Sequence, residues 1–266
     1  MVRIIILIVI CAAIIYAYIK YIERKSIFFP TDIISATPEL VGLPFQDVYL
    51  DTQDGITIHG WFLPRKDARY TILFLHGNGG NVGHRLEKLL LLYGAGVNIF
   101  IIDYRGFGRS KGRPSEGGVY LDAQASYDYL LKNKGMSPEK IILYGESLGG
   151  AVAIDLAKRR EVGGLIVEGS FSRAQDMAKV FYPFLPAFLF AHTFDSLAKI
   201  DAIRAPTLFI HSIDDEIVPL RLAQKLYNAA PVPKEFIQIR GSHNTAFLDS
   251  KEKYLTSLSS YLERLP

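Results

Sequence analysis

The chain has 266 residues, of which 49% are hydrophobic and 21% charged, a balance that argues against a disordered protein. Its 30 Lys and Arg stand against 27 Asp and Glu, a net charge of +3, with no basic stripe interleaved with aromatics, so no nucleic-acid partner is expected. The single cysteine, Cys11, excludes an intrachain disulfide and a cysteine-based zinc site and does not separate one redox compartment from another.

The first segment, Ile4 to Ile19, is almost wholly apolar, with Arg3 before it and Lys20, Arg24 and Lys25 after it. With Tyr16, Tyr18 and Tyr21 it reaches roughly 20 residues, the length of a membrane-spanning helix, and tyrosines suit the membrane–water interface. A cleaved signal peptide is the rival reading. It would carry a shorter apolar core and a small-residue cleavage site, and no such site follows Tyr21. Residues 1–25 are therefore expected to form an N-terminal membrane anchor. The basic residues behind the span favour a single-pass protein with a cytoplasmic catalytic domain. Residues 26–44, with Pro30, Pro38, Gly42 and Pro44, read as a linker. The remainder, 45–266, suits one large α/β domain.

That domain opens with two strand-like runs, Gln46–Asp51 and Ile56–Leu63, around Asp54-Gly55, a hairpin signal. Short apolar runs follow at Thr71–Leu75, Val97–Ile102, Ile141–Tyr144, Leu165–Val167, Thr207–Ile210 and Glu235–Ile239. Helix-like stretches separate them: Val82–Tyr93, Tyr120–Leu131, Leu148–Arg159, Leu220–Ala229 and Ala246–Leu262. The alternation predicts an α/β fold: a mostly parallel eight-stranded sheet with helices on both faces. Reactive groups in such a sheet collect beyond the carboxyl ends of its strands. One interval, about 170–204, breaks the rhythm. It is rich in aromatics (Phe171, Phe181, Tyr182, Phe184, Phe188, Phe190, Phe194) and interrupted by Pro183 and Pro186, and reads as a small helical cap.

Chemistry enters at Gly145-Glu146-Ser147-Leu148-Gly149, a G-x-S-x-G placed between an apolar strand and a helix that begins with small residues. Five residues alone would be a weak signal. The strand before, the helix after and partners downstream make Ser147 the candidate nucleophile, on a sharp turn that projects its hydroxyl above the sheet. A serine hydroxyl needs a general base held by a third group. His243, in the glycine-bearing loop Arg240-Gly241-Ser242-His243-Asn244, is the candidate base. The turn after Thr207–Ile210 offers Asp214 and Asp215 as the orienting acid, and periodicity does not choose between them. His192 and His211 are read as structural or cap residues, and His59 and His84 lie upstream of the order Ser, acid, His. His76-Gly77-Asn78-Gly79-Gly80-Asn81 is a glycine-rich loop after a strand. Backbone N–H groups of Asn78 and Leu148 would form an oxyanion hole. A phosphate-binding loop is the rival reading, but neither a Walker lysine nor G-x-G-x-x-G spacing accompanies it.

Several motifs in this order resemble the α/β-hydrolase superfamily, and more narrowly its membrane-anchored branch close to serine aminopeptidase-like domains. They are His76–Asn81, Asp103-Tyr104-Arg105-Gly106-Phe107-Gly108-Arg109-Ser110-Lys111-Gly112, Pro114-Ser115-Glu116, Gly145–Gly150, Asp215-Glu216-Ile217-Val218-Pro219 and His243-Asn244. The resemblance covers roughly residues 45 to 260. It implies Asp215 as the acid, four residues after His211, although Ser212 stands where the family pattern has glycine. It implies that Asp103, Arg105 and Glu116 fix loops, and it leaves Glu168 as a substitute acid. The expected function is a serine hydrolase cleaving a carboxylic ester or thioester, with a small-molecule or acylated, lipid-like substrate and no metal or organic cofactor. Amide or peptide cleavage by the same residues is the alternative, and a non-catalytic membrane-tethered binding module is a third.

Overall fold

The computed structural model describes residues 2–184 and 193–266, apart from the side chains at 12, 19, 20 and 22–25. In chain order the elements are α1 (Val2–Ile27), β1 (Phe29–Pro30), β2 (Gln46–Asp51), β3 (Thr57–Leu63), β4 (Thr71–Leu75), β5 (Gly79–Gly80), α2 (Leu86–Gly94), β6 (Asn98–Asp103), α3 (Glu116–Lys132) and β7 (Ile141–Glu146). Then come α4 (Leu148–Arg159), β8 (Gly164–Glu168), α5 (Ala174–Phe181), β9 (Thr207–Ser212), α6 (Leu220–Ala229), β10 (Lys234–Ile239), α7 (Ala246–Asp249) and α8 (Lys251–Arg264).

Eight strands form one sheet in the order β10-β9-β8-β7-β4-β6-β3-β2. Only β3 runs against its neighbours, β2 and β6; the other pairings are parallel. Its central strands are buried on both faces, which is why they read as unbroken apolar runs. Side chains alternate between the faces along each strand. Leu73 and Leu75 of β4 point into one core with Val119 and Tyr127 of α3, Val152 and Leu156 of α4 and Leu226 of α6. Ile72 and Phe74 point into the other, against Leu89 and Leu92 of α2 and Tyr254 and Leu258 of α8.

Three helix boundaries differ most from the sequence reading, each for a local reason. The stretch from Val82 begins as a 3-10 turn, Val82–Arg85, capped by Asn81, before α2 takes over. The start of α3 lies at Glu116, because the Ser115 hydroxyl accepts the N–H of Gly118 and caps a turn whose two glycines masked it. The last helical stretch breaks at Ser250, whose hydroxyl bridges the N–H and carbonyl of Arg240 at 2.9 Å each.

The N-terminal expectations need correction. The first segment is helical as α1, 26 residues long, yet among the described residues no helix is long and apolar enough to cross a membrane. The almost wholly apolar run from Ile4 to Ile19 gives roughly 24 Å of helix at about 1.5 Å per residue, short of a hydrocarbon core of about 30 Å. The side chains of Lys20, Arg24 and Lys25 lie outside the described ones. Residues 26–44 are not a free linker either. Phe28 is buried in the core, and β1 pairs in parallel with β5.

The interval after β8 holds one described α-helix, α5, and a 3-10 turn at Ile200–Ala202. Phe171 and Phe194 pack into the core, whereas Phe181 and Phe184 stay exposed. Pro186, Phe188, Phe190 and His192 lie outside the described residues. Glu116 fixes the end of this excursion by accepting the N–H groups of Thr193 (2.8 Å) and Phe194 (2.9 Å).

Candidate active site

Ser147 stands between β7 and α4 with φ 54° and ψ −115°, a conformation that few residues other than glycine adopt. Its surroundings hold it there. Its N–H donates to the Glu168 carbonyl at the end of β8 (2.8 Å). A side chain at Gly145 would strike the backbone of Gly149 and Gly150, and one at Gly149 would run into the Leu75 carbonyl. Only glycine at both positions lets the helix come that close to the strands. As the first residue of α4, Leu148 has an N–H with no carbonyl one turn back inside the helix.

Three strand ends bring the predicted residues together. The Oγ of Ser147 lies 3.0 Å from Nε2 of His243, and Nδ1 of His243 lies 2.7 Å from Oδ2 of Asp215. The other carboxylate oxygen of Asp215 accepts the N–H groups of Ile217 (2.9 Å) and Val218 (2.7 Å), which fixes its plane. Asp214 faces elsewhere, toward the Gly241 N–H and Arg240. Burial pushes Asp215 up, but the His243 hydrogen bond and charge, with the Val218 N–H, hold it below its ordinary value. Burial pulls His243 down, and its hydrogen bond to Asp215 with the charges of Asp215, Glu146 and Glu168 raises it on balance. His211, which burial lowers, stays beside Asp215 as a neutral neighbour and lies 2.9 Å from the Val218 carbonyl.

Glu168 is not available as a substitute acid. Both its oxygens accept from Lys88 at 2.6 and 2.7 Å, in a buried cluster with Tyr144 and Tyr254, whose hydroxyls are 2.6 Å apart. Arg105 does fix a loop: it clamps Asp54 and Asp122 together. Burial raises Asp122 to about 6 despite the guanidinium beside it. Asp103 sits between His59 and His76 and accepts the Val82 N–H at 2.9 Å. Burial pulls His76 down to about 4, so its ring is neutral near pH 7. Among the described residues no group of three or more His, Cys, Asp or Glu side chains could hold a metal ion.

Sequence reasoning missed three contributors. Glu216 accepts the His243 N–H at 3.0 Å and steadies the loop that carries it. Arg85 lies 3.5 Å from Glu146 and donates to the Gly79 carbonyl at 3.0 Å. Lys88 was legible in principle, because a lysine amid the buried Leu86, Leu89, Leu91 and Leu92 demands a buried anion.

Ser147, His243, Asn78 and Leu148 line a pocket of about 760 Å³. Its other walls include Ile27, Phe29, Phe171, Met177, Phe181 and Phe194, so the cavity beside the hydroxyl is largely apolar.

Sheet order, elbow and the carboxyl-end cluster together define a hydrolase of the α/β class. The chain belongs to the α/β-hydrolase family. A family model described as "Serine aminopeptidase, S33" matches residues 66–199. The chain is 34% identical over 251 residues to the alpha/beta hydrolase domain-containing protein WAV2 of Arabidopsis thaliana, covering 86% of this chain and 82% of that protein. It is 34% identical over 221 residues to the uncharacterized membrane protein YNL320W of Saccharomyces cerevisiae, covering 80% and 78%. In fold it is similar to the Pyrococcus furiosus esterase Pf2001, with a TM-score of 0.75 at 21% identity over 89% of this chain and 99% of that one.

Proposed function

We propose that this protein is a serine esterase or thioesterase acting on lipid-like acyl substrates through an acyl-enzyme. The observation that carries the reading is the continuous contact from Ser147 Oγ through the His243 ring to Asp215, at 3.0 and 2.7 Å, on the wall of an apolar pocket. Ser147 attacks the substrate carbonyl while Nε2 of His243 takes the hydroxyl proton. The oxygen of the tetrahedral intermediate is held by the N–H groups of Asn78 and Leu148, an interaction worth about 3–4 kcal/mol per donor in comparable sites. His243 then returns the proton to the leaving alcohol or thiol. Water, activated by the same ring, hydrolyses the acyl-enzyme and restores the serine.

An amide or peptide hydrolase is the second reading, favoured by the description of the matching family. Cleavage next to a free amino terminus calls for a carboxylate to hold the substrate ammonium. Glu146 lines the pocket, but Arg85 stands 3.5 Å away and neutralises it. Burial pushes Glu146 up, while Arg85, Lys88, His76 and His243 together hold it below its ordinary value, as a paired carboxylate. This favours the ester reading. Nitrophenyl esters and acyl thioesters from two to sixteen carbons should be turned over with kcat/KM rising to a medium or long chain, at least tenfold above any aminoacyl amide. Faster turnover of an aminoacyl amide than of every ester would reverse the choice.

In this reading α1 is an N-terminal anchor that inserts into one face of a membrane without crossing it, with the hydrolase domain on the cytoplasmic side. The support is its uniform apolar exposure, Ile4 to Ile10 each being about half or more accessible, together with the printed description of the yeast relative. The full chain should co-sediment with phospholipid vesicles, and a chain with Ile5, Ile8 and Ile15 changed to Ser should not. Equal sedimentation of the two would remove α1 from membrane attachment.

A further inference from the structure

Accepting the assignment of Asn78 to an oxyanion hole, the structure raises the question of what keeps a loop with glycines at 77, 79 and 80 in one conformation. Glycine-rich backbone is the least ordered by itself, and a donor aimed at a developing oxyanion is effective only if it is in place beforehand. The loop is held on its outer side by chain from before the domain. The Phe29 N–H donates to the Asn78 carbonyl at 2.8 Å, and the Thr31 N–H donates to the Gly80 carbonyl at 3.0 Å. The Asn78 side chain returns a bond to the Ile27 carbonyl at 3.0 Å. Asn81 donates to the carbonyls of Thr31 (3.0 Å) and Ile33 (2.8 Å). The strap is tied down in turn, since the Gly108 N–H donates to the Thr31 carbonyl at 3.0 Å and Phe28 is buried in the core.

We infer that residues 27–33 form a positioning strap that pre-sets the Asn78 N–H, so the segment joining α1 to the domain governs the rate of the chemical step. The carbonyl of Asn78 and its side-chain amide are both engaged on the strap side, which fixes the rotation of the residue about its own backbone. A carbonyl turned by even a few tens of degrees would carry the neighbouring peptide groups with it. The strap makes these bonds across some fifty residues of sequence, so no local feature of the glycine loop supplies them.

The test uses the full chain with phenylalanine at 29 replaced by its α-hydroxy analogue, which deletes the N–H and keeps the ring, and with Phe29→Pro as a second variant. Three quantities are read: kcat and KM for a nitrophenyl ester, the inhibition constant of an alkyl boronic acid that mimics the tetrahedral oxyanion, and Tm. Both variants should lower kcat about 10- to 100-fold, a share of the 10²–10³ that loss of an oxyanion donor costs. The boronate should weaken by a similar factor, while KM for the analogue-bearing protein stays within about twofold and its Tm is nearly unchanged. If the analogue-bearing protein keeps kcat within twofold of wild type, or loses kcat with boronate affinity intact, the strap does not position the oxyanion loop. If proline unfolds the chain, the analogue alone decides. A wild type that reacts with a fluorophosphonate no faster than Ser147→Ala would instead defeat the hydrolase reading itself.

Discussion

Ser147→Ala should lower kcat by roughly 10⁶, on the scale seen when the nucleophile of such a system is removed, and should abolish fluorophosphonate labelling. Among the described residues the hydroxyl of Ser147 is the one in hydrogen-bond contact with Nε2 of His243, at 3.0 Å. Activity somewhat above the uncatalysed rate should persist, since the proposed oxyanion donors and the pocket are untouched. Stability should move little. Alanine keeps the Cβ and therefore the cost of φ 54°, and the lost hydroxyl contact is worth about 1 kcal/mol. Ser147→Gly should be equally inactive yet more stable than Ser147→Ala, because glycine relieves a backbone cost of about 1–3 kcal/mol. Residual turnover by Ser147→Ala above about one part in a thousand of wild type, after contaminants are excluded, would be incompatible with a serine acyl-enzyme.

Asp215→Asn should lower kcat by roughly 10⁴, and Asp214→Asn by less than about threefold, the effect of a surface substitution. The asymmetry follows from geometry. Oδ2 of Asp215 touches the imidazole at 2.7 Å, and Asp214 is spent on the Gly241 N–H and Arg240. An asparagine can offer its amide N–H to Nδ1 and so favour the wrong tautomer. The pH profile tests the same contact. His243 must be neutral to accept the serine proton, and its pKa stands above the ordinary 6.5, so kcat/KM should fall as pH drops through that raised value. With Asp215→Asn the chief group that raises it is gone and burial still pulls it down, so the acid limb should move to lower pH. An acid limb that stays put would mean that a different pair of groups titrates in the mechanism. A larger loss in Asp214→Asn than in Asp215→Asn would transfer the acid role.

The central strands were legible because burial on both faces leaves short apolar runs punctuated by helices, as in β4 and β7. Chemistry at strand ends was legible because the elbow needs Gly145 and Gly149 for steric reasons that act within a few residues. Arg85, Glu216 and the strap were not, and Lys88 was legible only as a lysine in need of a buried anion, because the partner of each is distant in sequence. Lys88 meets Glu168 only once α2 lies over β8, and Phe29 meets Asn78 only once the chain folds back. The prolines at 30 and 38 look like linker punctuation, yet Pro30 ends a two-residue strand and Pro38, itself buried, opens a 3-10 turn. Charged flanks mark a membrane segment in sequence, but length decides whether it can cross, and an apolar run broken by lysine at 20 is short.

His243 hangs from β10, the outermost strand, which has β9 as its single neighbour in the sheet and much of its length only half-buried. Ser147 follows β7, in the interior. Edges open to solvent more readily than interiors, so the imidazole will come adrift while the rest of the molecule still stands. Gentle warming or dilute urea should then silence the enzyme well ahead of any loss of circular dichroism, and cooling should restore it. Amide protons of residues 234–239 would exchange with deuterium long before those of 141–146, so a brief excursion to high temperature switches the protein off without destroying it.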